Sequence, residues 1–217
     1  MPQAELAMPT PLRPTRKVDL IMAAAGRLFR ERGYGNTSMD AVAGEADVSK
    51  ATLYVYFSGK RELFAAVVAA EGDRNSGPLL AGEAGQEELR ARLLRFGRTI
   101  LDLLLAQETV ATYRMVAAEA ARFPELGRDY YDNGAARLLA RLEALFAGAM
   151  SNGSLRKAHA RRAAEQFVGL IRGDLQLRAL LGVPTEASAS QQDAVVRAGV
   201  DTFWRAYRTD EPGAGAP

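Results

Sequence analysis

The chain has 217 residues, 48% of them apolar and 25% charged, with 28 lysines and arginines against 26 acids for a formal charge of +2. It has no cysteine, which excludes disulfides, thiolate metal ligands and cysteine nucleophiles, and no apolar run approaches the roughly 20 residues that cross a bilayer. So small a charge makes no case for nucleic acid, and a DNA-binding surface would have to gather its cations on one face.

The opening segment, MPQAELAMPTPLRPTRK, lacks the apolar centre of a secretory signal, so the expected location is the cytoplasm. Its prolines and scarcity of apolar anchors predict a disordered arm over 1–15. Arg13, Arg16 and Lys17 sit where that arm meets the first helix, either as a solvated tail or as a basic arm for a minor groove.

From Arg16 to Arg32, Ile21, Ala24, Ala25, Leu28 and Phe29 recur at helical spacing, and Gly33 is placed to end that helix in a left-handed conformation. Thr37 and Asp40 form a Thr-x-x-Asp pattern suited to reciprocal capping of a second helix, with Met39, Val42, Ala43 and Ala46 on its apolar face. Asp47 and Val48 make a turn. Ser49 can cap a third helix running to Tyr56, anchored by Leu53 and Phe57, and Ser58 a fourth that carries Leu63, Phe64, Val67 and Val68 inward. The run EGDRNSGPLLAGEAG, Glu71 to Gly85, breaks the pattern and reads as a boundary.

Beyond it the period is helical throughout, with helices expected near 86–106, 108–123, 125–151, 157–181 and 187–209 and breaks at Phe123-Pro124, at SNGS and at Gly182-Val183-Pro184. A disordered tail is expected over 210–217. The fold class is all-α.

Two short helices joined by a tight turn suit a helix-turn-helix, whose second helix enters the DNA major groove. Lys50 can donate to guanine O6/N7, and Ala51 and Val55 can meet a thymine methyl. Thr52 can reach a base or a phosphate. Thr37 or Ser38 opens the second helix, where a hydroxyl and exposed N–H groups either simply cap or also hold a phosphate. Ser49 belongs to the same first turn as Lys50. Tyr54 and Tyr56 have hydroxyls suited to phosphate oxygens and rings that could instead pack. Lys60 stands in the first turn of a helix, where the dipole prefers an anion, consistent with a bound phosphate supplying one.

The ordered set LFRERGY, NTSMDAVAGEADVS, KATLYVYF and SGKRELF resembles the N-terminal domain of the TetR family of bacterial transcription regulators, over residues 16–64. EAARFPELGRDYY followed by GLIRGDLQLRALLG is similar to the C-terminal domain of the AefR-like branch of that family, placed here over 65–209. The resemblance favours DNA contact by Tyr54 and Tyr56 and phosphate binding by Lys60. One departure stands out: Asp47 occupies the turn position where the family usually has glycine, and Glu45 and Asp47 put acids near the DNA.

A short recognition helix reads few base pairs, so a homodimer on a palindrome is expected. The resemblance places the interface on the last two long helices, where Phe167, Val168, Ile171 and Leu175, and Val196, Val200, Phe203 and Tyr207, share faces that could equally be intrachain core. The resemblance also implies a small-molecule effector site, with Phe96, Ile100, Tyr113, Val116, Glu119, Phe123, Tyr130, Tyr131, Phe167, Arg172 and Asp174 as candidate lining residues, each otherwise core. Arg114 joins Glu119, Arg172 and Asp174 as polar residues among apolar ones, and a buried charge there would need a partner. Aromatics beside an acid suggest an amphipathic or cationic aromatic ligand.

The expected function is a DNA-binding one-component regulator, a repressor released from its operator by that ligand. The alternative is a DNA-binding protein of the same type without an effector, architectural or division-linked. An enzyme is not expected: His159 is the single histidine, and neither GxGxxG nor GxxxxGK[ST] occurs. No cofactor, metal or membrane partner is expected.

Overall fold

A computed structural model describes residues 16–76, 86–183 and 188–209. The expected arm, the expected tail, Pro184 and most of the Glu71–Gly85 boundary run lie outside the described residues. The chain divides into two compact units, Met1–Val67 and Val68–Pro217. No strand forms among the described residues, apart from an isolated antiparallel bridge between Leu155 and Arg208.

The first unit holds α1 (Arg16–Arg32), α2 (Met39–Glu45), α3 (Lys50–Tyr56) and the start of α4 (Lys60–Ser76). Ile21, Leu28 and Phe29 of α1, Val42 of α2, Leu53 of α3, Phe57, and Leu63 and Phe64 of α4 close one core. Phe29, Tyr34 and Phe64 form a triangle with every centroid separation 5.6 Å. Such pairs add about 0.5–1.5 kcal/mol each beyond area burial, which fastens α4 to the end of α1. Gly33 ends α1 at φ 83°.

The caps refine the sequence reading. Ser38 caps α2, its Oγ accepting the Ala41 N–H at 3.1 Å. Thr37 is buried instead, and its hydroxyl reaches the Leu28 and Gly33 carbonyls at 3.2 and 2.8 Å. The expected Thr37 cap is therefore displaced by one residue, because Thr37 is consumed in tying the α1–α2 turn to α1. Ser49 caps α3 as expected, accepting the Thr52 N–H at 3.1 Å. Ser58 does not accept from α4; its N–H and hydroxyl both donate to the Glu62 carboxylate at 2.8 and 2.6 Å.

The second unit contains α5 (Gln86–Leu105), α6 (Gln107–Glu119), α7 (Pro124–Tyr130), a π-helical turn (Tyr131–Ala135), α8 (Ala136–Ser151), α9 (Ala160–Arg172), α10 (Leu175–Leu181) and α11 (Ala189–Tyr207). Pro124 stands at the start of α7, as a residue lacking an N–H can. Two expected helices are interrupted. The π turn separates α7 from α8, and Gly173, at φ 47° and ψ −143°, ends α9 before α10 begins. That backbone geometry suits glycine, and no apolar periodicity reveals it. His159 caps α9, its Nδ1 accepting the Arg162 N–H.

Around Phe146, Phe167 and Phe203 the helices α5, α8, α9 and α11 share one core, with Phe146–Phe203 stacked at 4.8 Å and Phe203–Tyr207 at 4.6 Å. Gly199 lets α11 approach α9 closely, since a Cβ there would stand 3.0 Å from the Leu170 carbonyl oxygen. This packing decides between interface and core for most of the shared apolar faces. Phe167, Ile171, Val196, Val200, Phe203 and Tyr207 are buried within a single chain, and Val168 and Leu175 pack on the same core half-buried. The six buried residues have no surface left for a second subunit, whereas Val168 and Leu175 keep part of theirs.

Candidate functional site

The helix-turn-helix runs from Ser38 to Phe57. The turn closes because Asp47 adopts φ 52°, the one non-glycine residue with positive φ among those described. Aspartate visits this region more readily than most side chains. The N–H groups of Asp47 and Val48 donate to the Gly44 and Ala43 carbonyls, so the turn follows α2 without unpaired donors.

On α3 the sequence splits cleanly into two faces. Leu53 is fully buried and the following Phe57 likewise. Lys50, Ala51, Tyr54 and Val55, spaced i, i+1, i+4 and i+5, are exposed. Val55 is 78% exposed and Tyr54 45%, and an apolar stripe so displayed at the surface marks a binding face better than a core. Tyr56 and Thr52 are half-buried. Thr52 Oγ1 lies 2.8 Å from Ser49 Oγ, so the two hydroxyls hold each other at the helix start.

Charge is sparse on this motif. Between Ser38 and Phe57 the sequence has the carboxylates of Asp40, Glu45 and Asp47 and the single ammonium of Lys50. Glu45 pairs with Arg27 of α1. Lys50 Nζ lies 2.8 Å from one Asp40 oxygen and 3.1 Å from the other, a link across the two helix starts that spacing gave no reason to expect. The hydrogen bond from Lys50 to Asp40, and then the attraction of that carboxylate, raise the lysine above its ordinary pKa.

Lys60 has partners within the fold. Its Nζ donates to the Tyr34 carbonyl at 2.8 Å and to the Gly35 carbonyl at 3.4 Å, and lies 4.5 Å from the centre of the Tyr34 ring. Two carbonyls thus provide the negative partner that the helix start was expected to take from a phosphate. Thr37, turned inward, has no hydroxyl left for DNA.

The candidate effector residues do not form one constellation. Phe96, Ile100 and Phe167 belong to the four-helix core. Arg172 and Asp174 are exposed, flanking the Gly173 break, and so are not charges among apolar neighbours. Arg114 is also exposed and caps α10, donating to the Leu180 and Ala179 carbonyls at 2.8 and 2.7 Å. The remaining candidates lie along α6, α7 and the π turn, and two of their rings are in contact. Val116 is buried, Glu119 and Phe123 are half-buried, and Tyr113 meets Tyr130 edge-on at 6.1 Å. Tyr131, half-exposed, opens the π turn. Burial first, then Glu71 and Tyr113, push the Tyr130 hydroxyl up to about 12.

Thr112 is a residue that the sequence reading passed over. It is buried on α6 beside Val116 and Met115, and its Oγ1 is the one buried side-chain oxygen without a partner among the described residues. The available signal was a hydroxyl on the apolar side of a helix. Native structures pair nearly all such atoms. Among the described residues no cluster of three or more His, Asp or Glu could hold a metal, and no helix is long and apolar enough to cross a membrane.

Comparison with known proteins gives this geometry a family. Residues 21–67 match the model of bacterial regulatory proteins of the tetR family. Residues 91–209 match that of the AefR-like transcriptional repressor C-terminal domain. The solved flavonoid-responsive regulator FrrA is 34% identical, with a TM-score of 0.73 over 90% of this chain and 99% of that one. A TetR transcriptional regulator from Agrobacterium tumefaciens is 26% identical, with a TM-score of 0.76 over 91% and 97%. An HTH-type transcriptional regulator of Mycobacterium bovis is 36% identical over 118 residues, 54% of each chain, so the match spans about half the length of that curated relative. The chain belongs to the TetR family of bacterial transcription regulators, with an N-terminal helix-turn-helix DNA-binding domain and an AefR-like C-terminal domain.

Proposed function

We propose that the protein is a cytoplasmic repressor that binds a palindromic operator as a homodimer and leaves it when a planar aromatic ligand occupies its second domain. The observation that carries the DNA half is the outward stripe of α3. Lys50 faces a guanine, Ala51 and Val55 meet thymine methyls, and Thr52 and Tyr54 reach the groove wall. Ser38, Ser49, Tyr56 and Lys60 lie around that stripe in sequence and serve phosphates, Lys60 through whatever charge its carbonyl partners leave unscreened.

Support for the ligand half is the edge-on pair Tyr113 and Tyr130, one on α6 and one on α7, with the unsatisfied Thr112 hydroxyl next to Tyr113 in sequence; Val116, Glu119, Phe123 and Tyr131 are carried by the same stretch of chain. A π turn in the same segment is the kind of irregularity that accompanies binding sites. The name of FrrA gives its response as one to flavonoids, and a flavonoid-like polyphenol suits aromatic edges with a few hydroxyl partners. For the dimer, the outer faces of α9 and α11 replace the buried ones, joined by Leu177 and Leu181 of α10, both exposed.

Selection of bound duplexes from a random pool, followed by a screen of planar phenolic compounds for release, tests this reading. A palindromic winner released by one compound class supports it. A winner that no compound releases leaves a DNA-binding protein without an effector, and no winner at all removes the DNA half.

A further inference from the structure

The helix-turn-helix is a DNA-binding surface with three carboxylates and one ammonium, and that ammonium is held by one of the carboxylates. Glu45 is drawn away by Arg27. Asp40 stays with Lys50, both exposed, one at each helix start. We infer that Asp40 is a specificity-determining residue: by holding Lys50, it suppresses binding to DNA that offers no guanine at that place. The inference rests on the proposed base contact of Lys50.

On random DNA a lysine binds by charge alone, to any phosphate it reaches. Here that gain is cut either way. While paired with Asp40 the ammonium brings no net charge to a phosphate, and if it leaves, the carboxylate left behind faces the duplex unneutralised. A guanine changes the outcome, because an ammonium has three donors. One stays with Asp40 while the other two address O6 and N7. The penalty therefore falls on random sequence and is largely absent at the operator. Asp40 also fixes where Nζ stands, so a long flexible side chain meets the groove already oriented.

Three variants and two duplexes test this. Wild type, Asp40→Asn, Asp40→Glu and Lys50→Ala are measured against the duplex that wild type selects and against a random duplex, across a salt series. Asp40→Asn is expected to bind random DNA about tenfold more tightly at low salt, and to steepen the salt slope by roughly one phosphate equivalent, about 0.9 in the log–log plot. Its ratio of specific to random affinity falls, and its selected sequences lose the guanine preference. Asp40→Glu restores the ratio at least in part. Lys50→Ala loses the operator preference without gaining affinity for random DNA.

An Asp40→Asn protein with unchanged ratio and slope overturns the inference, and reduces the pair to a surface ion pair. Equal loss on both duplexes, with a lowered melting temperature, overturns it in favour of a purely structural role in α2. If wild type selects no duplex, the parent reading fails; if it does and only the Asp40→Asn arm disagrees, the inference alone fails.

Discussion

Lys60 and Tyr34 are joined twice, by a hydrogen bond from the ammonium to the tyrosine's own carbonyl and by the ammonium's place over its ring. The same ring packs against Phe29 and Phe64, so one lysine at the start of α4 secures the aromatic triangle and the loop that follows α1. A charge-assisted hydrogen bond contributes about 1.5–3 kcal/mol and a cation–π contact about 0.5–1 kcal/mol. Lys60→Met is therefore expected to cost about 1–3 kcal/mol of the first domain's stability in the absence of DNA, read by chemical denaturation. A lysine that served phosphate alone would leave the denaturation midpoint where it was.

Asp47 gives a second, independent test. At φ 52° a non-glycine residue pays a backbone penalty that glycine does not. Asp47→Gly should leave stability unchanged or raise it by a few tenths of a kcal/mol. Asp47→Val should lower it by about 1–2 kcal/mol. Equal melting of the two variants would show that the turn does not depend on this conformation.

These two residues show which features could be read from sequence. The bounds of α1 and α3, the buried pair Leu53 and Phe57, and the turn at Asp47 and Val48 follow from local patterns, because periodicity, capping hydroxyls and turn chemistry act over a few residues. What stayed open in the sequence depended on choices between near-equal partners. Thr37 and Ser38 both offer a capping hydroxyl, and only the packing of the α1–α2 turn decides which one is drawn inside. The faces of α9 and α11 carry the same apolar spacing whether they meet each other or a second subunit, so periodicity could not separate core from interface. The Lys50–Asp40 link depends on the angle between two helices, which no spacing rule encodes.

Alkaline titration isolates Tyr130. Its folded value is raised to about 12 from an ordinary 10, so the unfolded chain loses this proton first. The contribution is fully present below pH 10 and is lost as pH rises from 10 to 12, by about 2–3 kcal/mol from a two-unit difference at about 1.4 kcal/mol per unit. Tyr130→Phe should flatten the fall of stability across that window. An unaltered fall would assign it to other groups.

Thr112→Val should stabilise the second domain or leave it unchanged, because it removes a buried hydroxyl that has no partner and costs about 1–3 kcal/mol. The same change should weaken the binding of whichever phenolic compound releases the operator. Destabilisation without loss of ligand affinity would mean that the hydroxyl serves the fold.

The central claim is that the α3 stripe reads bases from two copies of this chain at once. The most direct measurement is a titration of wild type and Lys50→Ala against the selected duplex and a random one, with footprinting of the complex. The account predicts two protected half-sites about 34–36 Å apart, or a multiple of that. It also predicts an operator affinity lowered about tenfold or more by Lys50→Ala while random binding does not rise. A single protected site, or equal losses on both duplexes, would contradict it.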